Sequence, residues 1–177
     1  TFIVFIKARE YIMNDFKDKK GLILGLANER SIAWGISKAC SEAGASLAFT
    51  YQGEALGKRV KPLAKSLGAE IILPCDVTDE LSVNNVFSEI DRNWGHLDFL
   101  VHAIGFSDKN ELRGRYVDTS LQNFTTTMQV SVFSFTSIIQ KAEKLMKNGG
   151  SALTLTYYGA EKVLPHYNVM GIAKAAL

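Results

Sequence analysis

Gly21-Leu-Ile-Leu-Gly25-Leu-Ala27-Asn-Glu-Arg-Ser31-Ile32-Ala-Trp-Gly35 is the stretch that decides the fold. Gly21 to Gly25 reads as a short buried strand, and Leu26 to Ser31 as a turn. From Ile32 to Ala43 the apolar residues recur at helical spacing, and Gly44 is the expected stop. Gly25 permits a tight turn out of the strand. Ser31 is expected to cap the helix, whose free first-turn amides suit a pyrophosphate. Gly35 is expected to let the helix lie close on the sheet. The unit is a strand–turn–helix of the dinucleotide-binding kind, but its spacing is not G-x-G-x-x-G: Ala27 replaces the middle glycine, and extra residues separate it from Gly35. A βα turn that holds no ligand shares this pattern.

The same alternation continues along the chain. Ala45–Tyr51 is a β-rich run ending at Gln52. Glu54–Leu67 is helical, with Pro62 expected to start a new turn or kink it. Glu70–Pro74 is a third strand, and Asp79 caps a helix running to about Trp94. His96–His102 is a fourth strand. A loop from Gly105 to Ser120 leads into a long helical stretch through Lys147, ended by Gly149-Gly150, and Ser151–Tyr157 is a fifth strand. Repeated β-then-α units predict an α/β fold, a Rossmann-like doubly wound parallel sheet with right-handed crossovers. One domain over residues 13–177 is expected. The first residue is Thr, so residues 1–12 read as an upstream extension before Met13, and no signal peptide is expected. The sixth strand of such a sheet is missing, and the sequence stops at Leu177 inside a predicted helix, so the chain reads as C-terminally incomplete.

Ligands in parallel sheets gather at the carboxyl ends of strands, where Gly25, Gln52, Asp76, Ile104 and Tyr157 all fall. Past the fifth strand come Tyr157, Tyr158, Tyr167 and Lys174. Tyr167 precedes Lys174 by seven residues, two turns if both lie on one helix, which would set both side chains on one face. A phenol beside an ammonium can hydrogen-bond an oxygen that is gaining negative charge. Helix-face Tyr and Lys that only cover surface would look the same.

The entrance from Gly25 to Gly35 and the Tyr157/Tyr167/Lys174 set together resemble the enoyl-acyl carrier protein reductases of bacterial and plastid fatty-acid synthesis, a branch of the short-chain dehydrogenase/reductase superfamily. Phe49-Thr-Tyr-Gln52, Cys75-Asp76-Val77, His102-Ala-Ile104-Gly105-Phe106 and Tyr167-Asn-Val-Met-Gly171 belong to the same likeness, which runs from about Phe16 to Leu177. Ordinary members of the superfamily place the catalytic Tyr four residues before the Lys, where this chain has Met170. The resemblance implies hydride transfer from a nicotinamide to the β-carbon of a trans-2-enoyl thioester. It makes Tyr167 the donor to the thioester oxygen, Tyr157 the second active-site tyrosine, and Lys174 the holder of the nicotinamide ribose. It further implies cofactor contacts from Gly25, Ala27, Ser31, Ile32, Gln52, Asp76, Val77, Ile104 and Gly105, with Ser107 on the substrate side. An acyl carrier protein is the implied partner, a homotetramer the implied assembly, and bacterial cytoplasm or plastid the implied location.

Gln52-Gly53-Glu54 stands where such folds select the adenosine ribose. With neither an Asp nor an immediate Arg/Lys pair there, NADH is favoured over NADPH, and Lys58 and Arg59 read as solvated helix charges. Tyr158 reads as packing, and His102 and His166 as structural or surface groups. Phe124–Phe135 reads as a packed helix face. The 177 residues, 47% hydrophobic, suffice for one sizeable core. Twenty basic residues against 18 acidic give +2 without a basic stripe, so nothing points to nucleic acid. No apolar run has the length of a membrane span. Cys40 and Cys75 lack metal-ligand spacing, and no metal motif appears. Two other readings remain open: a carbonyl or alcohol dehydrogenase of the superfamily, and a non-catalytic nucleotide-binding remnant.

Overall fold

The computed structural model describes residues 16–177, so the expected extension over 1–12 and the start at Met13 lie outside the described residues. The chain alternates β1 (Lys20–Leu24), α1 (Ile32–Glu42), β2 (Ser46–Tyr51), α2 (Gly53–Ser66), β3 (Ile72–Pro74), α3 (Glu80–Trp94) and β4 (Phe99–His102). After a long loop come α4 (Leu121–Met128), a π-helical segment (Gln129–Phe133), α5 (Ser134–Ala142), β5 (Ser151–Thr154) and α6 (Asn168–Ala176). The five strands form one sheet in the order β3-β2-β1-β4-β5, and all four pairings are parallel.

Register and burial explain why the central strands are apolar throughout. Ile23 pairs with Phe49 on one side and Val101 on the other. These residues face α1 and α2, packing against Ala33, Val60 and Ala64. Leu22, Ala48 and Leu100 point the opposite way, onto Val83, Val86 and Ile90 of α3 and Ile138 and Ala142 of α5. Both faces are covered at β1, β2 and β4, while the edge strand β5 leaves Leu153 exposed, and the expected doubly wound arrangement is present. Each fully buried Leu or Ile in these layers contributes about 1.5–3 kcal/mol relative to exposure. Asp79 caps α3 as expected, its carboxylate accepting from Leu81 N–H at 3.0 Å, and Gly95 ends the helix at φ 70°.

Several local expectations need correction. Pro62 neither starts nor ends an element: α2 runs through it from Gly53 to Ser66. Gly35 does not bring α1 close to the sheet. Ala33 and Ser37 hold that face, four residues apart, while Gly35 points away with nothing within 4 Å of where a Cβ would sit. The single helix expected before Lys147 is α4 and α5 joined by the π turn. The Phe124–Phe135 face is only partly packed: Phe135 lies against the core and His102, while Phe124 and Phe133 are 36% and 62% exposed. Tyr158 is exposed rather than packed. Among the described residues no helix is long and apolar enough to cross a membrane, and no cluster of side chains could hold a metal ion.

Candidate functional site

The carboxyl ends of β1 to β4 open into a cleft of about 400 Å³. Gly25 and Ala27 from the first turn, Gln52 from the end of β2, and Asp76, Val77, Ile104 and Gly105 beyond β3 and β4 all line it, as the sequence predicts. Gly25 holds φ +94°, and a Cβ there would overlap the Ala103 carbonyl, so this position admits only glycine. Ser31 sits at the N-cap of α1 with an extended backbone, but its hydroxyl donates to Asn28 O at 2.6 Å instead of capping the helix. The capping expectation fails for that reason, and the first-turn amides of α1 are left uncapped beside Ile32, whose side chain is exposed.

Asp76 is tied down at the mouth of β3. Its Oδ1 accepts from Thr78 Oγ1 at 2.7 Å and Thr78 N–H at 2.9 Å, and Oδ2 accepts from Gln52 Nε2 at 3.3 Å. The Thr78 hydroxyl and N–H, and then Gln52, hold its carboxyl below the ordinary range. Asp76 therefore stays ionised and holds Gln52 beside it. Cys75 also lines the cleft, but burial pushes its thiol up to about 11, which makes it a poor nucleophile.

The predicted tyrosines and lysine follow β5 in the chain: Tyr167 lines a second cavity of about 420 Å³ with Gly159, Asn168 and Gly171, and Lys174 stands beside Gly105 of the first cleft. Tyr167 is not inside a helix: it is the N-cap residue of α6, which starts at Asn168, so the two-turn spacing to Lys174 is not a helix repeat. The ring of Tyr167 meets that of Tyr157 edge-on, centroids 5.3 Å apart. It also lies over Gly159, where a Cβ would be 2.5 Å from Tyr167 Cδ1. Burial, and secondarily Tyr157, raise the Tyr167 phenol above the usual tyrosine range, so it is a proton-bearing donor at neutral pH. Lys174 Nζ donates to Leu155 O at 2.8 Å and lies 3.6 Å from the place a Gly105 Cβ would occupy. Burial lowers the pKa of this ammonium. Met170, four residues before Lys174, is buried and carries no hydroxyl.

Ser107 behaves differently from the expectation. Its hydroxyl donates to Asn123 Oδ1 at 3.2 Å and accepts from Thr127 Oγ1 at 2.9 Å, so it fastens the loop to α4 and does not line the cleft. His102 is structural, as expected. It is wholly buried, and Ser134 gives its one hydroxyl proton to Val130 O at 2.7 Å, so Ser134 Oγ accepts from His102 Nε2–H at 2.8 Å. Burial, and then the Lys174 charge, push its pKa down to about 4. Sequence reasoning missed Thr126 and Val130, which wall the cleft from α4 and the π segment, and Ser131, which clamps Phe106 N–H at 3.0 Å and Phe106 O at 3.1 Å. A π turn leaves no trace in a 3.6-residue periodicity, so no pattern announces them.

The site fits a dinucleotide. The glycine at residue 25 admits close approach, the first turn of α1 has no side-chain cap although Trp34 N–H donates to Ser31 O at 3.0 Å, Asp76 offers a fixed carboxylate, and the missing Cβ of Gly105 leaves room beside the Lys174 ammonium.

A family profile described as Enoyl-(Acyl carrier protein) reductase matches residues 25–177. The chain is 62% identical over 159 residues to enoyl-[acyl-carrier-protein] reductase [NADH] 1 of Rhizobium meliloti, covering 90% of this chain and 58% of that one. It is 56% identical to the Rickettsia typhi enoyl-[acyl-carrier-protein] reductase [NADH] FabI, over 90% and 61% of the two chains. Among solved structures, an Anaplasma phagocytophilum enoyl-(acyl-carrier-protein) reductase in complex with NAD superposes with a TM-score of 0.89 at 62% identity, over 92% of this chain and 62% of that one. FabI from Candidatus Liberibacter asiaticus gives 0.91 at 54% identity, over 93% and 64%. The chain thus spans about 60% of the length of the relatives it matches. With the profile running from Gly25 through Lys174 to Leu177, the chain belongs to the enoyl-(acyl carrier protein) reductase family.

Proposed function

We propose that the protein reduces trans-2-enoyl groups, carried as thioesters on an acyl carrier protein, with NADH as the reductant. The observation that carries this reading is a half-buried, proton-bearing Tyr167 phenol with Tyr157 against it, at the start of the helix α6 that sets Lys174 beside Gly105 of the cleft. When bound, the nicotinamide supplies hydride to the β-carbon of the enoyl group. Charge then gathers on the thioester oxygen, where Tyr167 donates a hydrogen bond, and a proton taken up from solvent at the α-carbon completes the saturated acyl group. A donor already in place stabilises that charge more than the ground-state carbonyl, which lowers the barrier selectively. Tyr157 fixes the ring of Tyr167 by its edge-on contact and borders the reacting end. Lys174, anchored on Leu155 O, retains N–H donors for the nicotinamide ribose hydroxyls. Ser31 and Ile32 present the α1 amides to the pyrophosphate, beside Gly25 and Ala27. Asp76 and Val77 take the adenine, and Ile104 and Gly105 form the floor under the nicotinamide end.

NADH is preferred because Gln52 is held by an ionised carboxylate. A 2′-phosphate near Gln52 would meet the Asp76 charge, and no basic group adjoins Gln52 in sequence to offset it. The exposed rings of Phe124 and Phe133 on α4 and the π segment make that face the one we assign to subunit contacts in a homo-oligomer. Ser107 serves the substrate side indirectly, by holding the loop after Gly105 to α4. A bacterial cytoplasm fits the relatives named above.

The test is NADH oxidation followed in the full-length protein with a trans-2-enoyl thioester, a ketone of similar size, or neither. Oxidation that depends on the enoyl thioester, with Tyr167→Phe lowering kcat by about 100-fold or more at unchanged NADH affinity, is the expected result. Preference for the ketone would make the protein a carbonyl reductase. NADH binding without turnover of any substrate would leave a nucleotide-binding protein.

A further inference from the structure

Tyr167 lies between two residues whose backbones occupy the left-handed region although neither is glycine: His166 at φ 60° and Asn168 at φ 30°. Such a conformation costs free energy and persists where surroundings over-determine it. Asn168 shows the means. Its Nδ2 donates to the main-chain carbonyl of Glu111 at 2.9 Å, a contact spanning 57 residues. Glu111 is itself fixed, its carboxylate accepting from Ser120 N–H and from Ser120 Oγ, both at 2.8 Å, at the start of α4. Ser120 Oγ in turn accepts from Asn123 N–H at 3.1 Å as the cap of that helix.

These contacts make a strut from α4 through the loop after β4 to the residue next to the phenol. At the other end, Gly159 leaves the space that the Tyr167 ring fills, and the Gly171 position, one turn into α6, lies 3.7 Å from Tyr167 Cδ1. The ring has packing on Tyr157 and Gly159, but nothing in that packing fixes the direction of the main chain that carries it. Asparagine tolerates positive φ better than most residues because its short polar side chain can hydrogen-bond locally. Here that side chain reaches instead to a distant carbonyl.

We propose that Asn168 is a positioning residue for Tyr167, holding the phenol on its target through the Asn168–Glu111 hydrogen bond. The inference rests on the reading of Tyr167 as the donor to the thioester oxygen. Asn168→Gly separates the two contributions of the side chain, since glycine accepts positive φ without strain but has no donor for Glu111 O. Asn168→Asp keeps the size and the backbone tolerance but turns a carboxylate toward the same carbonyl.

The experiment uses the full-length enzyme and reads kcat, KM and NADH affinity for both variants, alone and combined with Tyr167→Phe. Misplacing the phenol by a fraction of its hydrogen-bond length is expected to lower kcat by about tenfold to a hundredfold in each single variant. NADH affinity stays unchanged, because none of Asn168, Glu111, Ser120 and Asn123 lines the cleft. In the Tyr167→Phe background the further loss disappears, since there is no hydroxyl left to aim. A wild-type kcat in Asn168→Gly, or an equal loss in both backgrounds, overturns the proposal. A second readout is independent of turnover. In ring-labelled tyrosine NMR, the Tyr167 signal, identified by its loss in Tyr167→Phe, carries a ring-current shift from Tyr157. That shift collapses in Asn168→Gly if Asn168 positions the ring, and its persistence overturns the proposal. Absence of enoyl-dependent NADH oxidation in the wild type would refute the function while leaving the NMR result to decide the role of Asn168.

Discussion

His102 shows how one buried side chain makes the fold pH-dependent. The neutral imidazole joins β4 to α5 through Ser134, and Thr154 of β5 donates toward Nδ1 at 3.4 Å. Its pKa is about 4 in the fold against 6.5 for an unperturbed histidine, because burial and the Lys174 charge oppose a second proton. Between these two values the unfolded chain binds more protons than the folded one, so stability falls as pH falls. The contribution is fully present above pH 6.5 and is lost as pH drops through about 4. Its size is about 3 kcal/mol. Urea unfolding of the wild type and of His102→Gln, measured from neutral pH down through this window, should show the difference between them shrinking with acidity. A difference independent of pH would show that His102 does not titrate this way. That His102 is structural could be read from the sequence, since no partner stands at triad or ligand spacing. Its hydroxyl partners could not, because Ser134 reaches it only after the π turn and Thr154 only through the β4–β5 pairing.

Among elements, α1 separates what glycine spacing reveals from what it suggests. The strand–turn–helix order, the left-handed Gly25 and the stop at Gly44 follow from residue type, because positive φ has few alternatives to glycine. The role of Gly35 does not follow. A glycine in a helix marks a close approach only when it lies on the packed stripe, and the stripe of α1 runs through Ala33 and Ser37. Gly35 faces open space, so it imposes the backbone-entropy cost of glycine with no packing return. Gly35→Ala is therefore expected to stabilise the ligand-free protein by about 0.5–1 kcal/mol, read as a rise in the urea midpoint at constant slope. A loss of stability would restore the close-packing role. The same distinction applies at Pro62. Its ring was legible as a break, yet α2 continues through it because Val60 and Ala64 bury their side chains on the sheet on either side.

Over the whole molecule, the cleft is made from five separated segments: the turn after β1, the end of β2, the residues after β3, the residues after β4, and the α4–π wall. The first four were legible because parallel β/α order sends every strand end to the same edge. The fifth required the tertiary structure. The placement of Tyr167 was also hidden: its number along the chain suggested a helical pair with Lys174, whereas the phenol is set by Gly159, Tyr157 and a left-handed backbone. Because the segments are far apart in sequence, a ligand in the cleft can be retained only when the sheet is formed, and its binding energy adds to global stability instead of protecting one loop. NADH at one hundred times its Kd should then stabilise the protein by about 2.7 kcal/mol. For a domain of this size that is a rise in Tm of about 5–10 °C. NADPH at the same concentration should give a smaller rise, since its 2′-phosphate meets the Asp76 charge beside Gln52. Equal shifts for the two would place the ribose away from Gln52, and no shift for either would remove the cleft from consideration as a nucleotide site. Hydrogen exchange locates the effect: slowed exchange in β1, β2 and β4 together marks global coupling, and slowing confined to the Leu26–Ser31 turn would mean that only the entrance holds the ligand.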